Sequence, residues 1–195
     1  MTTPFLHPAV KPSSRQTVKP SNMSTIPDPL RYPVGRETRK AALTPTERAA
    51  MIDTIAAFPA RLRAAVQGMD DAALDTPYRP GGWTRRQVVH HVADSHMNAY
   101  IRFQLGLTEQ EPTVKPYDEK AWAELPYART APVATSLALL EALHARWTAQ
   151  LRDIADERWA RRILHPENGP MSLDDLLQTY EWHCRHHLGH VGNGA

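Results

Sequence analysis

TRRQVVHHVADSHMNAYIRFQLGL, residues 84–107, is the stretch that decides the fold. Thr84 followed three residues later by Gln87 has the form of a capping box, in which a side chain and the backbone at a helix N-terminus satisfy each other's hydrogen bonds. From there Val88, His91, Val92 and Ser95 recur at spacings of three and four, the period of an α-helix and not of a strand. A helix this long needs apolar surface to pack against, and three further segments supply it.

Upstream, LTPTERAAMIDTIAAFPARLRAAVQGM (residues 43–69) carries Thr44, Pro45 and Glu47 in the order of a second capping box with proline at the first helical position. Ile52, Ile55, Leu62, Val66 and Met69 keep helical spacing, and Pro59 predicts a kink. Downstream, Leu137, Leu140, His144, Trp147, Leu151 and Ile154 form one stripe. Ser172 and Asp175 cap a last helix whose stripe runs Leu173, Leu176, Leu177, Tyr180, Cys184 or His183, His187 and Val191. Residues 108–132, with four prolines and Trp122, read as an ordered crossover loop with one short turn at YDEKAWAEL (117–125), and HPENGPM (165–171) reads as another loop. No segment reads as a β-strand. The expected fold is all-α, a four-helix bundle with a long crossover between helices two and three, in which sites are built from side chains on facing helices.

Length and composition agree. A chain of 195 residues suits one domain. Its 23 Lys and Arg stand against 21 Asp and Glu, but residues 1–40 hold seven basic and two acidic side chains, leaving 16 basic and 19 acidic from residue 41 onward. The helical part is mildly acidic, which argues against a nucleic-acid partner, since no basic stripe is left to displace phosphate counterions. A lone cysteine, Cys184, excludes an intramolecular disulfide. No apolar run approaches the roughly 18 residues a membrane helix needs. The N-terminus lacks the apolar stretch of an export signal, so the expected location is cytoplasmic.

Seven of the 17 prolines precede residue 34, among Ser, Thr and Lys, a composition that buries too little apolar surface to order a chain. Residues 1–30 are expected to be a disordered arm and 31–195 the bundle domain, with Met23 an alternative start.

The histidines carry the chemistry. HCRHHLGH (183–190) contains four of the ten. His183 and His187 lie four apart on one face of the last helix, where two imidazoles can share one ion. His186 and His190 have the same spacing about 100° around the helix, so only one pair is expected to face the core. His187 falls on the apolar stripe, which selects His183 and His187. On helix two, His91 continues the face of Val88, Val92 and Ser95, whereas His90 sits with Arg86 and Asp94. Three neutral histidines and a water make an open, catalytic type of zinc site. Against it stands the ordinary role of histidines near a helix C-terminus, where positive charge is favoured by the helix dipole. Cys184 reads as a small buried hydrophobe, and Trp83 and Trp182 as core before pocket wall. Asp94 is a candidate to orient a ligand imidazole, and Asp94 and His186 are candidate general bases.

From YPVGRE (32–37) to His190, the chain resembles the DinB/YfiT-like family of metal-dependent hydrolases, which is related to bacillithiol transferases. The matching stretches are DTPYRPGGWTRRQVVHHVADSHMNAYIRF (75–103), KPYDEKAW (115–122), SLALLEALHARWTAQL (136–151) and YEWHCRHHLGHV (180–191). The resemblance implies a four-helix bundle holding one divalent metal, zinc or nickel, on His91, His183 and His187, in a cytoplasmic homodimer acting on a small-molecule substrate. It leaves three activities open. The leading one is hydrolysis by a metal-activated water. The second is S-transfer, in which the metal binds a low-molecular-weight thiol such as bacillithiol as the thiolate. The third is a non-catalytic metal-binding module. Two departures from the family pattern are the Pro-rich arm and an ending, VGNGA, that comes about two helical turns early, where fraying is expected to loosen the site around His187.

Overall fold

A computed structural model describes residues 28–192. The expected arm lies outside these residues except for its last three positions, which open α1 (Asp28–Arg31), and Met23 lies outside them altogether. The four expected helices are α2 (Pro45–Val66), α4 (Arg85–Thr108), α7 (Val133–Arg152) and α8 (Leu173–Gly192). Between α2 and α4 lies α3 (Asp71–Leu74), and the crossover holds α5 (Glu119–Ala123) and α6 (Pro126–Thr130). Both capping boxes form: Gln87 N–H donates to Thr84 Oγ1 at 3.1 Å while Thr84 N–H donates to Gln87 Oε1 at 2.9 Å, and Thr44 and Glu47 make the same exchange. Ser172 and Asp175 repeat it at α8. Pro59 sits inside an unbroken α2, one turn beyond its middle.

The long helices pack in the cyclic order α2, α7, α4, α8. Side-chain contacts give the directions. Asp53 and Arg63 of α2 meet Arg152 and Glu141 of α7, so those two run antiparallel. His90, His96 and Gln104 of α4 meet Ser136, His144 and Gln150 of α7, so those run parallel. Arg85 and Arg102 of α4 meet Val191 and Tyr180 of α8, so those run antiparallel. Helices consecutive along the long-helix order, α2 with α4 and α7 with α8, therefore face each other across the bundle diagonal. Parallel packing of α4 on α7 also requires residues 109–132 to return along roughly 36 Å of helix, at 1.5 Å per residue, which is why the crossover is long.

The loop expected at 165–171 is instead the turn and second strand of a hairpin, β1 (Arg162–His165) paired antiparallel with β2 (Gly169–Ser172). Gly169 supplies the left-handed backbone the turn needs, at φ +73°. Strands of four residues offer too little alternation to be legible, yet they bury Ile163 and Met171 on one side. The other edge of β1 fastens the crossover: Val114 N–H donates to the Leu164 carbonyl and Leu164 N–H to that of Pro112. Further along, the crossover is held by Gln87 Nε2, which donates to the Ala123 carbonyl at 2.7 Å. The tertiary contacts thus pin the crossover against β1 and along α4.

Gly106 is a close approach of α4 to the first residue of α8 and to β1. A Cβ there would lie 2.8 Å from Leu173 Cδ2 and 3.2 Å from Ile163 Cγ2, both on fully buried side chains that have nowhere to go. Gly106→Ala is expected to destabilise the chain by about 1–3 kcal/mol, the usual cost of overpacking, read as a lower urea midpoint with an unchanged m-value. An unchanged midpoint would mean that the helix and hairpin are not seated together as described.

Candidate metal centre

Antiparallel packing of α4 on α8 sets His91 opposite the His183/His187 pair. One nitrogen from each of the three rings lies within 4.8 Å of the others. Ring centroids are 4.9 Å apart for His91 and His187, 5.4 Å for His91 and His183, and 4.3 Å for His183 and His187. Nitrogens sharing a tetrahedral ion at bonds of about 2.0–2.1 Å stand roughly 3.3 Å apart, a separation small side-chain rotations can reach. His90 goes elsewhere. Its Nε2–H donates to the Ala131 carbonyl at 3.1 Å and its Nδ1 accepts from Ser136 Oγ at 2.8 Å, so both nitrogens are used in tying α4 to α7.

Hydrogen bonds fix which nitrogens carry protons. His144 Nδ1 lies 2.7 Å from the Ile55 carbonyl, which can only accept, so Nδ1 is protonated and Nε2 of the neutral ring is a lone pair. His96 Nδ1, 2.7 Å from that lone pair, must donate to it, leaving His96 Nε2 to accept. His183 Nδ1, 3.0 Å away, therefore donates to His96, and His183 Nε2 keeps its lone pair, with the Ser95 hydroxyl 3.5 Å away. A second chain fixes His187: His190 Nε2–H donates to the Arg31 carbonyl at 3.2 Å, so His190 Nδ1 accepts from His187 Nδ1–H at 3.3 Å and His187 Nε2 is free. His91 has no hydrogen-bond partner among the described residues. Two of the three rings thus enter the cluster in one defined tautomer, each set by a backbone carbonyl on a different side of the bundle.

The rings are neutral as well as aligned. Burial, and after it the charge His190 would carry, lowers His91 to about 4. Burial holds His183 and His187 well below the ordinary imidazole range, reinforced by neighbouring rings. Three neutral imidazoles with lone pairs converging are a donor set that fits zinc or nickel.

The structure corrects several expectations. Both histidine faces of α8 are covered, since His186 and His190 are buried along with His187. The segment after α1 lies along α8, where Trp182 Nε1–H donates to the Gly35 carbonyl, and the loop before α4 adds Tyr78, stacked on His190 at 3.9 Å. His186, His187 and His190 form a second convergent group, but His190 Nε2–H is committed to Arg31 and its Nδ1 to His187. His90 and Arg86, expected on a polar face, are buried too, with the guanidinium paired to Asp75 and Asp71 at 2.7 Å each. Trp83 and Trp182 line a cavity, and Trp83 also packs against the edge of the core. Asp94 makes no side-chain hydrogen bond to a histidine among the described residues; burial raises its pKa. Cys184 is buried as expected, and burial pushes its thiol well above its ordinary pKa, away from nucleophilic use.

That cavity, of about 610 Å³, is lined by the three clustered histidines together with His186 and His190. Its other walls are Arg31 and Tyr32 after α1, Tyr78, Arg79 and Trp83 before α4, and Glu119, Lys120 and Glu124 of the crossover. Glu119, Lys120 and His183 also line an adjoining cavity of about 680 Å³. None of these wall residues except the tryptophans was singled out in the sequence. His96 and His144 had a signal: both are histidines on helices predicted to face the core.

A family model of the DinB superfamily matches residues 54–191. YfiT of Bacillus subtilis (strain 168), which carries a provisional metal-dependent hydrolase name, is 48% identical over 163 residues, covering 83% of this chain and 92% of the relative. A similarly named protein of Bacillus cereus (strain 03BB102) is 49% identical over 162 residues, covering 83% and 93%. The solved structure of Bacillus subtilis YfiT, described as a probable metal-dependent hydrolase with an unusual four-helix bundle topology, superposes with a TM-score of 0.83 at 48% identity, covering 85% of this chain and 95% of that one.

Proposed function

This chain belongs to the DinB superfamily, and on that premise we propose that it is a metal-dependent hydrolase whose single divalent ion, zinc or else nickel, is held by His91, His183 and His187. The observation that carries the reading is the convergence of three neutral imidazoles, two with their unprotonated nitrogen fixed by hydrogen bonding, on the wall of a cavity large enough for a small molecule. Bound there, the ion would supply a hydroxide nucleophile near neutral pH by lowering the pKa of a coordinated water to about 7. The chain's own residues do the rest. His96 and His190 hold the ring orientation of His183 and His187, and Trp83 packs on His91 at 4.7 Å between centroids, limiting water on that side. His186 also lines the cavity, but burial lowers it to about 3, so at neutral pH it is an uncharged wall and too weak a base to take up a proton efficiently.

The test is elemental analysis of the full chain purified without added metal, run beside a panel of esters and amides. The expected result is about one equivalent of zinc or nickel per chain and hydrolysis that disappears with the metal in His187→Ala. Folded protein that stays metal-free after incubation with both ions would overturn the reading. Bound metal with no hydrolysis, but with consumption of a low-molecular-weight thiol against an electrophile, would move the activity to S-transfer, and bound metal with neither would leave a binding module.

A further inference from the structure

The adjoining cavity contains a guanidinium with no carboxylate partner among the described residues. Arg102 projects from α4 into a compartment of about 680 Å³ that also takes in His165 at the end of β1, Tyr117 of the crossover and Tyr180 of α8. The other buried and half-buried arginines described are matched to carboxylates or backbone carbonyls. Arg48 pairs with Asp174, Arg86 with Asp71 and Asp75, and Arg79, Arg85 and Arg161 donate to carbonyls. Arg102 differs. Its one hydrogen bond among the described residues is from Nη1 to Tyr180 Oη at 3.1 Å, and its Nε is buried with no acceptor. Three acids line the same compartment, and none forms an ion pair with it: Asp118 is spent capping α5, and Glu119 and Glu167 are exposed.

A half-buried cation given only a phenol has lost hydration that an anion would restore, and guanidinium geometry suits a carboxylate through two parallel hydrogen bonds. The compartment shares Glu119, Lys120 and His183 as walls with the cavity of the histidine cluster, and the Tyr180 ring lies 5.8 Å from that of His183. We propose that Arg102 binds a carboxylate group of the substrate, so that the molecule acted on at the histidine cluster is an organic acid whose charged end lies over Arg102. This rests on the proposed function for the position of the reacting end, but not for the binding of the carboxylate.

The experiment is calorimetric titration of the full chain with succinate and with its uncharged counterpart succinamide, in the wild type, Arg102→Gln, Arg102→Lys and His187→Ala. Far-ultraviolet circular dichroism checks that each variant keeps its helices. The expected result is binding of succinate and not of succinamide, weakened at least about tenfold in Arg102→Gln, weakened less in Arg102→Lys, and retained in His187→Ala. Succinate binding that survives Arg102→Gln, or that fails in the wild type, would overturn the proposal. Binding lost in His187→Ala and kept in Arg102→Gln would also overturn it, by placing the carboxylate on the histidine cluster. Binding that depends on Arg102 in a chain that takes up no metal would support the subsite while removing the hydrolase reading.

Discussion

Zinc affinity is expected to fall by at least about 100-fold when any one of His91, His183 or His187 is replaced by alanine, and by about 10- to 100-fold in His96→Leu, a residue outside the proposed ligand set. The first loss removes one of three donors. The second comes from the hydrogen-bond chain that begins at the Ile55 carbonyl and passes through His144 and His96 to His183. With leucine at 96, His183 Nδ1 loses its acceptor, and the ring is free to put its proton on the nitrogen the metal needs. Leucine fills the space, so the effect separates from a packing defect. Long-range ¹H–¹⁵N correlation of the metal-free chain reads the tautomer directly: wild-type His183 is expected as the Nδ1–H form, and His96→Leu as a mixture. An unchanged tautomer and an unchanged zinc Kd in His96→Leu would reduce that chain of imidazoles to ordinary core packing. His186→Ala is expected to leave the affinity within a few-fold of wild type, and a loss as large as that of His91→Ala would shift the ion to the second histidine group.

Acid is expected to unfold the chelated, metal-free chain steeply between about pH 6.5 and pH 4, beginning before ordinary carboxylates titrate. His144 is the clearest cause. Burial, opposed by its bond to the Ile55 carbonyl, lowers it to about 4. Its folded pKa lies below its unfolded value of 6.5, so its contribution is fully present above pH 6.5 and is lost as pH falls through about 4, while the unfolded chain takes up the proton first. At about 1.4 kcal/mol per pH unit, this one side chain accounts for on the order of 3 kcal/mol, a large share of the 5–15 kcal/mol that holds a typical domain together. Chemical denaturation at half-unit pH steps measures the slope, and His144→Leu is expected to flatten it at the price of lower stability at pH 7. A stability that is level from pH 7 to pH 4.5 would show that His144 reaches solvent or takes its proton while folded.

The helices were legible because their signals are local. Thr44 with Glu47, Thr84 with Gln87 and Ser172 with Asp175 each complete a capping exchange within one turn, and the apolar residues that follow keep a 3.6-residue period that any neighbour would have to respect. The choice of His91 over His90 was legible for the same reason, since adjacent residues on a helix differ in direction by about 100°. The hairpin at Arg162–Ser172 was not, because strands of four residues are defined by their partner and by the edge that β1 lends to the crossover.

For this protein, the sequence alone determined the helices, the bundle, and the histidines able to share an ion, all consequences of periodicity along one element. It misjudged which histidines are buried. A helix has two coverable faces, and α8 is covered on the second by residues 32–40 and by Tyr78, segments far away in the chain. Only the tertiary structure decided that α2 sits diagonally across from α4 and α7 from α8, that the crossover is fastened to β1 and to α4, and that His144, 39 residues before His183, sets that ring's proton through His96. Hydrogen bonds between elements depend on distance in space, and a one-dimensional pattern carries no measure of it.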